Sequence, residues 1–466
     1  MKQALLFIWV LITVGVSSAQ SPAITELMAV DAFIAQVKQN HPVAKQASLQ
    51  VDIAEAALLA ARGNFDPTLQ GDFERKTFDK KNYFNYWNPE LKVPTWIGAD
   101  IKYGLESNSG TFLNSESTAG NTSYFGIEMP VARGLLMDKR RAAVLQAKQY
   151  RNMSEQERLK MLNDLLFDAY VSYYTWAGSY QLFNTYNRFL QIANERLRFV
   201  RIAFQNGDRS PMDTLEAWTQ VQTFRARQAE SFMRLNASRL DISAFLWLDQ
   251  DSAVLLSDRF YPDTTKFNQY ANAEPMESLI TQAMISNPSL RSYDFKLNSL
   301  EIERKLKFQS FLPYVNLKYN LLNKDYYAFK NFGGNLLENN YKYGLDFKIP
   351  LFLREGRGDY RKAKLKIQET KLELNNKRWE TELKVRNYYN ETFQLQNQLD
   401  QYQQNYVAFN TLLRNEELRF TNGESSLFMI NSRENKVMET QEKLVELRIK
   451  YFKSYYAIQW AAGILR

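Results

Sequence analysis

His41 is the only histidine of the 466-residue chain and cysteine is absent, so the groups that most often carry nucleophilic, redox and soft-metal chemistry are nearly missing. Without a thiol there is no disulfide, no thiolate metal site, no cysteine nucleophile and no lipid-modified N-terminal cysteine. A Ser-His-Asp arrangement would have to use His41, which stands directly before Pro42 and reads as a structural turn residue. No Gly-x-Ser-x-Gly elbow and no His-Glu-x-x-His helix occurs, and copper or zinc sites built from soft ligands are not expected. Glu301 and Glu303 have the composition of a glycoside-cleaving pair, but carboxylates on amphipathic helices read as solvated faces. The formal charge of +8 is spread as basic residues interleaved with acids, without the aromatic platforms of a nucleic-acid surface. The residues point to no enzyme, no cofactor and no metal, which leaves shape as the carrier of function.

The elements that make the shape begin after a secretory signal, expected over residues 1–19. Lys2 supplies its positive start, Leu5 to Val16 its apolar core, and Ser17-Ser18-Ala19 a small-residue cleavage site. No later run reaches the roughly 18 to 20 apolar residues of a membrane-spanning helix. Export alone leaves a periplasmic, secreted or outer-membrane destination open.

The remainder repeats one plan twice, with repeats predicted over 20–248 and 276–466 and an irregular connector over 249–275. Asn40-His41-Pro42, a helical run and Phe65-Asp66-Pro67 in the first half answer to Ser286-Asn287-Pro288, a helical run and Phe311-Leu312-Pro313 in the second, with identical proline spacing. Each half then shows alternating residues closed by a proline, Pro130 or Pro350, and a glycine, Gly134 or Gly356, at the start of a long helical segment. Each long segment ends in Asn-Gly, at Gly207 and at Gly423, before another helix; Ser210-Pro211 suits an N-cap with proline at the first helical position.

Leu162, Ala169, Trp176, Phe183, Leu190, Leu197 and Phe204 form one seven-residue stripe, partnered by Leu159, Leu166, Tyr173 and Tyr180. Leu399, Tyr406, Leu413 and Phe420 answer it, partnered by Leu395, Tyr402 and Phe409. Such seams belong to coiled coils. A single helix from Ala132 to Gln205 would be on the order of 110 Å long, too long for a compact domain.

Strict period two marks Val315, Leu317, Tyr319 and Leu321, and again Tyr341, Tyr343, Leu345, Phe347 and Ile349. The first half shows Leu69 and Phe73, then Ile97 to Leu105, then Phe125, Ile127 and Met129, one candidate strand more than the second. Alternation alone fits a soluble sandwich as well as a barrel. Aromatic-rich connections at Lys80 to Pro94 and Asn323 to Asn340, read as loops, favour a lipid interface. Segments long enough to cross a bilayer when tilted, and helices too long to cover a small sheet, favour the barrel further. Four or five strands cannot close a membrane barrel, so several chains must share one.

These markers, doubled and in order over nearly the whole chain, resemble the TolC family of outer-membrane efflux proteins. The resemblance implies a mixed α and β membrane protein: a homotrimer with four strands per chain in a twelve-stranded β-barrel, continuous with a long α-helical coiled-coil tube in the periplasm. It implies an exit duct for an efflux or type I secretion system, with a periplasmic adaptor, an inner-membrane transporter and outer-membrane lipid as partners. It also implies a gate at the tip, carried here by Phe204, Gly207, Asp208, Arg209, Asp213, Phe420, Gly423 and Glu424. Asp213 matches an aspartate of the closing network in such proteins. Phe420 replaces a tyrosine, Ser425 an arginine, and Met429 and Ser432 the aspartates that narrow the pore, so closure is expected to rest on packing of Phe204 and Phe420 with a residual link from Asp213. The extra strand near Ile97 to Leu105 departs from the family plan. The competing reading is an elongated coiled-coil structural or adhesive protein of the cell envelope, which would need no twin strand zones.

Overall fold

The computed structural model of the chain describes residues 26–249, 251–326 and 340–466. The expected signal at 1–19 and most of the connection from Asn323 to Asn340 lie outside the described residues.

The first half runs β1 (Glu26–Met28), α1 (Val30–Asn40), α2 (Pro42–Arg62), a 3-10 turn, β2 (Thr68–Phe78), β3 (Lys81–Pro94), β4 (Asp100–Ser109), β5 (Gly120–Pro130), α3 (Lys139–Gln205) and α4 (Pro211–Ser243). After β6 (Phe260–Pro262) and α5 (Thr264–Phe267), the second half runs α6 (Met276–Ser286), α7 (Pro288–Phe308), a second 3-10 turn, β7 (Tyr314–Lys324), β8 (Tyr341–Lys348), α8 (Arg354–Thr421) and α9 (Leu427–Ala462).

The repeat extends to the caps. His41 is the N-cap of α2, its Nδ1 accepting from Val43 N at 3.2 Å; Asn287 caps α7 in the same way, its Oδ1 accepting from Ser289 N at 2.9 Å. Both prolines take the first helical position, where the missing N–H is no loss. His41 is thus structural, as its place before Pro42 suggests.

The chain divides into two compact units, each drawing on both halves. One takes the chain up to Gln36, Tyr170–Tyr270 and Gln398–Ile449; the other takes Val37–Ala169, Ala271–Asn397 and Lys450–Arg466. In the first, Trp176 and Tyr173 of the predicted stripe are fully buried. Tyr173 stacks on Phe33 at 5.7 Å, and its hydroxyl donates to Met28 O at 2.7 Å while accepting from Asp263 N at 3.1 Å. That hydroxyl ties together two segments the sequence left unpaired. The connector 249–275, expected to be irregular, carries β6, which pairs in parallel with β1, and the one-turn α5 capped by Asp263. A three-residue strand is too short to show any period.

The second unit holds the sheet and a helical core of Leu279, Ile280, Ala283, Val385 and Ile458. The strand order is β2-β3-β4-β5-β7-β8, antiparallel throughout. This corrects the expected four strands per chain to six. The segment Lys80 to Pro94, read as an aromatic-rich loop, is strand β3, joined to β2 by a turn in which Asp79 and Lys80 take φ of 51° and 59°. The strand placed at Ile97 to Leu105 is β4, shifted to start at Asp100 because Ile97 and Gly98 form the turn that precedes it, Gly98 N donating to Thr95 O at 3.1 Å.

Helix α3 begins at Lys139 instead of Ala132. Gly134, at φ +95°, turns the chain first, and Asp138 then accepts from Arg141 N at 2.8 Å as the helix cap. Gly356 lies within the first turn of α8 instead of before it; a Cβ there would come within 2.8 Å of Ser310 Oγ, so the glycine lets the helix start close against the second 3-10 turn. Among the described residues no helix is long and apolar enough to cross a membrane.

Candidate functional site

The two Asn-Gly turns lie in the first unit. Each long helix stops in the same way: Gly207 N donates to Phe204 O at 3.0 Å and Asp208 N to Ala203 O at 2.9 Å, while Gly423 N donates to Phe420 O at 3.1 Å and Glu424 N to Arg419 O at 2.8 Å. Gly207 and Gly423 have φ of +83° and +80°, the left-handed conformation that satisfies the last carbonyls of a helix and that side chains resist.

Of the eight residues predicted for a gate, Arg209 and Phe420 are brought together, the guanidinium lying 4.2 Å from the ring centroid. Phe420 packs against a small core of Leu413, Ile430 and Val437. Phe204 is 42% exposed. Asp213 is engaged at its own helix start: its carboxylate accepts from Ser210 N and Oγ, and Ser210 Oγ accepts from Asp213 N, a capping box. Glu424 lies 4.0 Å from Arg419. Ser425 donates to the buried Glu416 at 2.6 Å.

Sequence reasoning missed the charges behind these turns. Arg196 of α3 forms two hydrogen bonds with the carboxylate of Glu434 of α9, at 2.8 and 3.1 Å, and the Glu434 side chain is only 1% exposed. Gln220 of α4 donates to Glu434 at 3.3 Å and to Asn435 at 3.0 Å. Arg196 also lies 3.5 Å from Glu417. Residues 238 positions apart give no local spacing to read.

Burial holds the Glu417 carboxyl above the usual carboxylate range; Arg196 opposes this and the Glu434 charge adds to it. A carboxyl with raised proton affinity in the folded state costs stability once ionised, and that cost disappears as pH falls through the raised value toward the ordinary glutamate range. Glu417→Gln is therefore expected to raise the thermal midpoint of the purified protein at neutral pH, with the gain vanishing below the ordinary glutamate range. A gain independent of pH would show that charge at Glu417 is not the cause.

The sheet of the second unit has two chemically opposed faces. Cross-strand partners on one face are Leu69 with Leu91, Phe73 with Trp87, Val93 with Ile101, Tyr103 with Phe125, Ile127 with Tyr319 and Leu317 with Leu345. Phe347, Leu345 and Tyr343 of β8 are 64, 61 and 70% exposed. The other face is polar and stitched across strands. Glu90 accepts from Gln70 at 2.8 Å and from the Tyr124 hydroxyl at 2.6 Å. Lys102 lies 2.6 Å from Glu128, which accepts from Asn316 at 2.6 Å, and Lys318 lies 2.7 Å from Asp346. Tyr124 reaches Glu90 by lying over Gly104, where a Cβ would collide with its ring.

A soluble sheet of this kind would hide its apolar face; one that shows lipid an apolar face and lines water with the other needs no cover. Residues 279–463 match the family described as outer membrane efflux protein. The second half of the chain is therefore similar to outer membrane efflux proteins. No curated protein matches it at the level of sequence. The outer-membrane channel CmeC of Campylobacter jejuni is 15% identical, with a TM-score of 0.64 over 94% of this chain and 86% of that one. The outer membrane protein VceC of Vibrio cholerae is also 15% identical, with a TM-score of 0.64 over 93% of this chain and 96% of that one. The open state of the MtrE outer membrane channel of Neisseria gonorrhoeae gives 15% identity and a TM-score of 0.63 over 94% and 89%. At such identities the likeness is one of fold, and it covers both halves of the chain. The TolC-type fold and outer-membrane location expected from the sequence agree with both findings.

Proposed function

We propose that this chain is the exit channel of an efflux or type I secretion system in the outer membrane, acting as a homotrimer that receives solutes through a periplasmic adaptor and an inner-membrane transporter. One observation carries the reading: an antiparallel sheet with one apolar and one charged face and two open edges, in a chain whose second half is similar to outer membrane efflux proteins. Open edges are not tolerated in lipid, and six strands fall short of the smallest membrane barrels, so copies must close the sheet together. Nothing in this function calls for bond-making; the chain supplies a lined aqueous path.

The gate belongs at the Gly207 and Gly423 turns. Because the Asp213 carboxylate is engaged in its capping box, closure rests on Phe420 and the Arg209 guanidinium stacked on it. In planar bilayers the purified trimer is expected to conduct, Phe420→Ala to raise single-channel conductance more than Asp213→Ala, and the rise to persist at high salt, where charge links between exposed groups are screened within about 3 Å at 1 M. A protein that forms no channel would favour the coiled-coil envelope protein instead. Opening by Asp213→Ala alone would move the gate from packing to a polar lock.

A further inference from the structure

The hairpin β3–β4 has no counterpart in the second half of the chain, where β7 and β8 stand alone among the described residues. Three observations fix its place. It lies inside the sheet, between β2 and β5, and does not hang from a loop. Its strands, of 14 and 10 residues, reach the roughly 9 to 11 residues that cross a bilayer when tilted. They pair along their length, from Thr68 opposite Lys92 to Phe78 opposite Lys81 on one side and from Asp100 opposite Glu128 to Asn108 opposite Gly120 on the other.

Its two faces continue those of the neighbouring strands. Trp87, Leu91, Val93, Ile101 and Tyr103 extend the apolar face, while Glu90, Lys92, Asp100 and Lys102 extend the polar one. Outside a membrane the apolar residues would need a cover, yet Trp87 and Leu91 are 44 and 40% exposed. The turn between the strands returns to the helical side of the sheet, where Asp100 accepts from Arg140 of α3 at 2.7 Å. The hairpin therefore spans the same height as β5.

We propose that the membrane channel of this protein is a barrel of eighteen strands, three copies of the six-stranded sheet, closed by β8 of each copy against β2 of the next. β2 and β8 run in opposite directions because each strand of the sheet is antiparallel to its neighbour, so their junction continues the antiparallel pattern and the strand count stays even, as in bacterial single-chain barrels. Barrel diameter grows roughly linearly with strand number, so eighteen strands give a ring about one and a half times as wide as twelve, in the range of barrels that keep an aqueous channel. The added wall brings both signs of charge, Lys92 and Lys102 beside Glu90 and Asp100, paired at 3.0 Å for Lys92 and Asp100. Such a lining suits bulky hydrated solutes without selecting their charge. The proposal rests on the exit-channel reading above.

The chain has no cysteine, so single cysteines report cleanly. Tyr103→Cys on β4, Phe347→Cys on β8 and Lys102→Cys on the polar face would each carry a polarity-sensitive fluorophore in phosphatidylcholine vesicles with nitroxide-labelled acyl chains. The expected result is equal loss of emission at Tyr103→Cys and Phe347→Cys, none at Lys102→Cys, and a subunit mass count of three in detergent. Leu91→Cys on β3 gives the same reading should Tyr103→Cys not assemble. Quenching at Phe347→Cys without quenching on the hairpin, or a count of two, overturns the eighteen-stranded barrel while the channel reading stands. Absence of quenching at Phe347→Cys as well overturns both.

Discussion

Leu345→Arg combined with Phe347→Arg is expected to abolish assembly of the protein in the outer membrane. Both side chains stand on the apolar face of β8, opposite Leu317 and Val315, and both are more than half exposed. On the lipid face an arginine near the bilayer midplane costs about 2–4 kcal/mol, and two neighbouring ones remove most of the margin by which a folded chain is stable. Lys342→Ser, one strand position away from that face and opposite Asn320, should assemble as the parent does. Fractionation of cells, followed by electrophoresis that preserves oligomers, reads the outcome directly. Equal loss in both variants would mean that the two faces of the sheet are not lipid and water.

Arg196→Ala is expected to lower stability by about 3–5 kcal/mol, the cost of leaving one buried partner of an ion pair uncompensated. The partner left behind is Glu434, 1% exposed, whose remaining hydrogen bond comes from Gln220 at 3.3 Å. Removing both charges restores the balance, because a buried pair replaced by apolar groups of similar volume is often neutral or better. Arg196→Met with Glu434→Leu should therefore recover most of the loss in thermal midpoint, measured at fixed protein and detergent concentration. A double variant no better than Arg196→Ala would show that the arginine acts through packing of its stem, not through its charge.

Much of the fold was legible because its signals are local. The paired prolines locate both caps and both strand exits, the heptad stripe from Leu162 to Leu197 is buried or half-buried along its whole length, and strict alternation places β7 and β8. Strand β3 was not legible. Phe84 stands beside Tyr83, Trp87 beside Tyr86, and Pro89 interrupts the run; the ladder to β4 skips Asn88 and Pro89, passing from Trp87 opposite Ser107 to Glu90 opposite Gly104. A proline without an N–H argues against a central strand, and here the sheet absorbs it. The turn before it uses Asp79 and Lys80, not the Asn-Gly that marks such hairpins. At the candidate gate the turn glycines could be read, since positive φ has a residue signature. The stacking of Arg209 on Phe420 and the pairing of Arg196 with Glu434 could not, because each depends on which helices meet; the capping role of Asp213, three residues past Ser210, is a local signal that the resemblance to a gate network overrode.

The hairpin β3–β4 leaves the polypeptide on the side of the sheet from which it came, so the strands before and after it keep their directions and their connections to α2 and α3. Wall segments of this kind can be gained or lost only in twos. In the proposed barrel, one insertion within one repeat would add two strands per copy and widen the ring in a discrete step, while the connections of the sheet to α2 and α3 stay as they are, a form of modularity.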